Sequence, residues 1–246
     1  MCNLIKLLKT KKGRDETGLF IIEGEKFVNE IPADWQIIKY IISQSFDKKN
    51  SQYKNRADTE IIKDSIFNQL ADTKNPQGIL AVCKKQEYSL HEIITQNGFV
   101  LLGEELNDPG NTGTLIRTAA AAGARGIILT KLSCDPYNPK VLRAAAGAVF
   151  RLPIITDIEQ TEAIKAIRQT HKIYAAHLGG ETLPYSLNLK NNFCLMIGNE
   201  ARGLSEAAVS QADTLVRLPM AEGTESLNAC VAGSILMYEA VRQRML

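Results

Sequence analysis

The sequence predicts an α/β protein, with a mainly parallel sheet in a larger C-terminal part and a smaller α/β unit in front of it. Three observations carry this. Five short apolar runs of buried-strand type alternate with helix-like segments from residue 99 onward. Two β-branched segments separated by a short helix-like stretch lie within residues 20–43, and a helix and a further strand complete the first ninety residues. Finally, 246 residues with 45% hydrophobic and 23% charged content are enough for one large or two small domains with cores. The expected division is residues 1–92 and 97–246.

In the front unit, "LFIIEG" and "WQIIKYIIS" read as strands, separated by a short helix-like "EKFVNEI". The polar stretch "FDKKNSQYKNRADTE" reads as a loop. "KDSIFNQLADT" then reads as a helix beginning near Asp64, and "NPQGILAVCKK" as a turn and strand. "SLHEIITQNG" reads as the polar connection onward.

In the second unit the strands are "FVLLGEEL", "GIILT", "KIYAAHL", "NFCLMIGNE" and "TLVRLPM". The helices expected between them are Thr112–Ala122, Pro139–Gly147, Thr161–Gln169, Ser205–Ala212 and Leu227–Arg244. Strand–helix alternation implies a parallel sheet covered on both faces. Ligands of such sheets sit beyond the carboxyl ends of the strands, so the loops there are where chemistry is expected.

Charge excludes little. The net charge is +2, with 15 basic and 13 acidic residues up to residue 96 and 14 of each after it. Lys6, Lys9, Lys11, Lys12 and Arg14 crowd the first fourteen positions, and a solvated terminus or an RNA contact explains them equally well. No apolar run approaches the ~20 residues of a membrane span, so no membrane is expected. The five scattered cysteines lack a C-x-x-C pair, which points to reduced thiols in a cytoplasm, with Cys194 and Cys230 as small core residues. His91, His171 and His177 have no ligand spacing, and no metal is expected.

Three strand-end loops stand out. "GEELNDPGNTG" turns at Pro109-Gly110 and starts a helix near Asn111 or Thr112, either of which is able to cap it. Thr114, Ala121 and Gly123 are small enough to let another backbone approach. Arg117 stands alone in that alanine-rich helix, as a surface residue or as a fork aimed at a phosphate or ribose oxygen. "CLMIGNEARGLSE" offers backbone groups and the carboxylate of Glu200. It lacks the Lys and Ser/Thr of a phosphate loop, and no G-x-G-x-x-G or G-x-S-x-G occurs in the chain. "RLPMAEGTESLN" places Leu218, Met220 and Leu227 as an apolar slot for a flat ring. Ser226 is a cap for the last helix, whose Leu227, Val231, Ile235, Tyr238 and Val241 are expected to be buried.

Together "NDPGNTGTLIRTAAAAGA", "LMIGNEARGLS" and "LPMAEGTESLN" resemble, in order and spacing, the three motifs of the SpoU/TrmH family of RNA ribose 2′-O-methyltransferases, members of the SPOUT class. The resemblance covers about residues 98–246 and includes "NPKVLRAAAGAVFRLPI" between the first two motifs. The front unit is similar to the small α/β RNA-binding domain that many members acting on ribosomal RNA carry. The resemblance implies a trefoil-knotted catalytic domain, S-adenosylmethionine as cofactor and a homodimer through the knotted domain. It carries cofactor contacts onto Gly198, Leu218 and Leu227, with Met220 and Leu178 beside them. It carries the characteristic polar roles onto Asn111, Arg117, Glu200, Ser226 and Asn228.

The residue types suit the implied chemistry. A sulfonium already activates the methyl group, so the protein must align a ribose oxygen and see its proton removed. Arg117 stays protonated and is a poor base. Its expected work is to bind the neighbouring phosphate and polarise the 2′-hydroxyl. Two roles are open for Glu200: orienting Arg117, or complementing the cationic cofactor. Arg143, Arg151 and Arg202 are candidate RNA backbone contacts. The expected substrate is ribosomal RNA. The alternatives are tRNA, or a non-catalytic RNA-binding or ribosome-assembly factor with the same fold.

Overall fold

A computed structural model describes residues 2–53 and 58–245 of the chain. The front unit contains α1 (Cys2–Leu8), α2 (Lys11–Thr17), β1 (Leu19–Glu23), α3 (Glu25–Asn29), β2 (Ile37–Ser43), α4 (Gln44–Lys49), β3 (Thr59–Ile62), α5 (Asp64–Leu70) and β4 (Ile79–Lys84). Its strands lie in the order β1-β4-β2-β3, antiparallel except for β2 with β3. After α6 (Leu90–Ile94) the second unit follows: β5 (Phe99–Gly103), α7 (Pro109–Ala121), β6 (Gly126–Thr130), α8 (Pro139–Ala145), β7 (Ile154–Ile158), α9 (Gln160–Ile167), β8 (Lys172–Ala176), β9 (Phe193–Ile197), α10 (Glu206–Ser210), β10 (Thr214–Val216) and α11 (Ala229–Met245). Its six strands are all parallel, in the order β10-β8-β9-β5-β6-β7. β5, β6 and β9 are buried along their whole length, as continuous apolar runs require of a sheet covered on both faces.

Several elements differ from the sequence expectation. The basic N-terminus forms two helices, with Thr10 capping α2 by accepting from the amide of Gly13. The polar stretch 46–60 holds most of α4 and the start of β3, and its residues 54–57 lie outside the described residues. Ser43 caps α4 and Phe46 anchors it in the core, a single apolar contact too sparse to make a period. The connection at 89–98 carries α6, fixed by a reciprocal Ser89–Glu92 capping box. The edge strand β7 was not expected either, because only Ile154 along it is buried and Asp157 breaks the extended backbone at φ +58°.

The two units are fastened together by groups from both. Arg14, expected among the solvated or RNA-contacting basic residues, is 2% exposed. Its guanidinium meets Asp135 at 2.6 Å and donates to the carbonyl of Leu8 at 2.8 Å. Beside it, Phe20 packs on Tyr137 at 4.7 Å and Trp35 edge-on to Phe150 at 4.9 Å. The segment 135–150 is therefore a seat for the front unit. Cys83, Cys194 and Cys230 are buried, and all five thiols are unpaired. Burial pushes the Cys83 thiol up to about 12. Among the described residues, no helix is long and apolar enough to cross a membrane.

Candidate active site

Beyond the carboxyl ends of β8, β9 and β10 lies a pocket of about 280 Å³, closed on one side by the first turns of α11. Gly198, Leu218, Met220, Leu227 and Leu178 all line it, as do Glu200 and Ser226. Ile197, Leu204, Val216 and Leu236 add aliphatic wall, and His177, Asn199, Arg202 and Arg217 border it as well. The backbone amides of Leu218 and Met220 make no hydrogen bond among the described residues. An apolar slot edged by free amides fits a purine ring, which offers two flat faces and a hydrogen-bonding edge.

The loop 198–204 is tied by Asn199. Its amide and carbonyl exchange hydrogen bonds with Gly203, at 3.0 and 2.8 Å. Its side-chain oxygen accepts from Ala201 and Arg202, and its Nδ2 donates to the carbonyl of Glu105 at 2.8 Å. The chain turns so sharply that a Cβ on Gly198 would lie 2.2 Å from Gly203 and Leu204. Glycine at 198 thus serves the loop's own crossing. Asn199 and Glu104, which accepts from the amide of Ser205 at 2.9 Å, are structural residues that the sequence reading did not single out. Their signal, a polar residue at the end of a buried strand, was present but not specific.

At the pocket mouth a chain of hydrogen bonds joins the three loops. Glu200 accepts from the amides of Asn107 at 3.2 Å and Asp108 at 3.1 Å, and from Asn111 Nδ2 at 3.2 Å. Asn111 Oδ1 accepts from Asn228 Nδ2 at 3.0 Å. Asn228 Oδ1 then accepts from the amides of Cys230 and Val231. Asn228, rather than Ser226, therefore caps α11, and the helix starts at Ala229 rather than Leu227. Similarly α7 begins at Pro109, capped by Asp108, because proline at a first helical position needs no N–H partner.

Helix packing brings these loops together through glycines. A Cβ on Gly113 would lie 2.5 Å from that of Ala144, and one on Gly233 would lie 2.8 Å from Leu115. Those two positions set how closely α7 meets α8 and α11. Thr114 and Ala121, expected at a close approach, are exposed, and Gly123 supplies a turn at φ +76° with nothing near it.

Arg117 does not join the cluster. It is exposed, does not line the pocket, and has no hydrogen bond or ion pair among the described residues. Glu200 therefore does not orient it within the chain. Arg143 bridges to Asp72 of the front unit at 2.6 Å, and Arg202 pairs with Glu105. Arg151 alone of the three candidate RNA-contacting arginines keeps a free guanidinium. On α11 the buried face is Gly233, Leu236, Met237 and Ala240. Leu227, Val231, Ile235 and Tyr238, expected in the core, are exposed, and Val241 is only partly buried. The apolar residues of α11 occupy more than one face, so spacing alone could not tell which one covers the sheet.

Residues 98–238 match the SpoU rRNA Methylase family, and residues 3–81 match the MRM3-like substrate binding domain. The chain is 32% identical to the 23S rRNA (guanosine(2553)-2′-O)-methyltransferase of Bacillus subtilis, over 95% of this chain and 92% of that protein. An AdoMet-bound rRNA methyltransferase from Sinorhizobium meliloti superposes with a TM-score of 0.87 at 30% identity, over 98% of this chain and 94% of that one. The SpoU methyltransferase AviRb from Streptomyces viridochromogenes, in complex with AdoMet, gives 0.89 at 27% identity, covering 98% and 96%.

Proposed function

Because this chain belongs to the SpoU rRNA methylase family, we infer that it transfers a methyl group from S-adenosylmethionine to a ribose 2′-hydroxyl of ribosomal RNA. The observation that carries this reading is the joining of Glu200, Asn111 and Asn228 at the rim of a pocket built from all five expected cofactor positions. When bound, the cofactor supplies a methyl group already activated on a sulfonium. The chain's own residues do the rest. Leu178, Leu218, Met220 and Leu227 hold the flat base, and the amides of Leu218 and Met220 read its edge. Glu200 accepts only from neutral donors, so its negative charge is left to complement a cationic ligand. Asn111 and Asn228, fixed by one another, present their remaining groups to the ribose. Similarity over nearly the whole chain to a 23S rRNA methyltransferase, with a substrate-binding domain matched at residues 3–81, supports ribosomal RNA as substrate.

Assembly is part of the same reading. Val231, Ile235 and Tyr238 form an exposed apolar stripe at helical spacing on α11. A second copy of this chain covers it in a symmetric dimer. Arg117 does not line the cleft of its own chain, and in this reading the cleft is completed by Arg117 of the partner subunit. Its planar fork holds the phosphate next to the target ribose, and a phosphate oxygen or water takes the 2′-hydroxyl proton. The trefoil crossing implied by the three motifs belongs to this reading. The test is incubation with methyl-labelled S-adenosylmethionine and 23S rRNA, followed by mapping of 2′-O-methyl sites. Label on a 2′-oxygen supports it, and label confined to a base contradicts it.

A further inference from the structure

At the end of the larger sheet opposite the cofactor pocket, the amino ends of β5, β8 and β9 border an open cleft of about 840 Å³. Arg125, Arg168, Lys172, Lys190 and Arg244 line it, against a single acid, Asp213. That acid is already engaged: one oxygen faces Arg168 at 3.2 Å and the other accepts from the amide of Ile173 at 2.7 Å. The other four cations have no ion pair among the described residues.

Two of them are held in place by the main chain. Arg125 Nε donates to the carbonyl of Asn97 at 2.7 Å. Its side chain crosses Gly98, where a Cβ would lie 2.8 Å from Nε. Arg244 Nε donates to the carbonyl of Leu189 at 3.0 Å, and its guanidinium lies over the rings of Phe99 and Phe193 at 5.1 and 5.5 Å. Burial and the charge of Arg125 both weaken the hold of Arg244 on its proton. His171, 4% exposed, borders the same cleft, and its Nε2 has no hydrogen-bond partner among the described residues. Fixed guanidinium forks without a carboxylate repel one another, and an anion with several oxygens relieves that repulsion.

We propose that this cleft is a second RNA-binding site, which takes phosphodiester groups of the substrate at a point remote from the methylated ribose. It rests on the reading of RNA as substrate. Strands of five residues span about 17 Å, which puts the two sites on opposite ends of the sheet. RNA that reaches both sites must therefore be folded or extend several nucleotides beyond the target itself.

The test is the double variant Arg125→Gln, Lys190→Gln, with binding of a 23S rRNA transcript followed across a salt series. The expected result is affinity at least ~10-fold weaker at low salt and a salt slope shallower by about 1–2, because up to two phosphate contacts are lost. Melting temperature and S-adenosylmethionine affinity should match the parent. Should the pair lower the melting temperature, Lys190→Gln alone carries the test, since this exposed side chain has no partner among the described residues. Unchanged RNA affinity and slope in a folded variant overturn the proposal, as does a parent that does not bind the transcript. Loss of inorganic phosphate binding with RNA binding intact marks a small-anion site and overturns it too. Methyl transfer is scored separately, so cleft-dependent RNA binding without transfer counts against the activity and not against this site.

Discussion

Asn228 Nδ2 lies 3.0 Å from Asn111 Oδ1, a hydrogen bond between residues 117 positions apart. It ties the start of α11 to the first turn of α7, while Asn228 Oδ1 caps α11. The two jobs use different atoms of one amide and can be separated. Asn228→Asp keeps the accepting oxygen but has nothing to donate to Asn111. The expected outcome is near-parent thermal stability with turnover down at least ~10-fold, about 1.4 kcal/mol of barrier. Asn228→Ala should lose the same turnover and also about 1 kcal/mol of stability with the cap. Parent turnover in Asn228→Asp would show that the bond has no part in catalysis.

Arg117→Ala should leave melting temperature and cofactor affinity in place, because the exposed side chain makes no hydrogen bond or ion pair among the described residues. Turnover should fall at least ~100-fold, about 2.7 kcal/mol. Lys at this position should rescue little, since a point charge does not reproduce a planar fork. If the cleft is shared between two copies, mixing and re-pairing Arg117→Ala with Glu200→Ala subunits restores activity that neither has alone. Mixed subunits that stay inactive would mean that each cleft takes both residues from one subunit.

Charging the exposed stripe of α11 tests assembly. Ile235 is 45% exposed, so Ile235→Asp costs the isolated fold little while opposing burial against a second copy. Sedimentation should show the parent at twice its 27.1 kDa chain mass and the variant at that mass. A parent that sediments as a fully active monomer would remove the dimer from the account.

How much of this was legible in the sequence depended on how many residues each feature engages. β5, β6 and β9 were readable because whole apolar runs are buried there, and β8 and β10 because part of a shorter apolar run is. α4, α6 and β7 were not, since each rests on a cap, a capping box or one buried side chain. At the site, motif order placed Gly198, Glu200, Leu218 and Leu227 around one pocket. The Asn111–Asn228 bond is a contact at long sequence separation, which no local pattern encodes. Arg14 shows the same limit: in sequence it sits in a basic run, and only the fold delivers Asp135 to it.

That buried pair gives a stability prediction. Arg14→Met removes the cation while Asp135 remains buried, with one amide partner at Tyr137. Removing one member of such a pair costs about 3–5 kcal/mol, so a marked drop in melting temperature is expected. Pairing it with Asp135→Leu should recover much of the loss. A single variant as stable as the parent would mean that the front unit is held by Phe20, Trp35 and their aromatic partners alone.

The most direct measurement of the central claim is methyl transfer itself. Purified protein, S-adenosylmethionine and unmodified 23S rRNA are incubated, and the RNA is read for ribose 2′-O-methylation at single-nucleotide resolution. The account predicts a new 2′-O-methyl mark at a defined nucleotide, formed at least ~10-fold more slowly with Asn228→Asp and at least ~100-fold more slowly with Arg117→Ala. Methylation on a base, or the same mark formed at the parent rate in both variants, would contradict it.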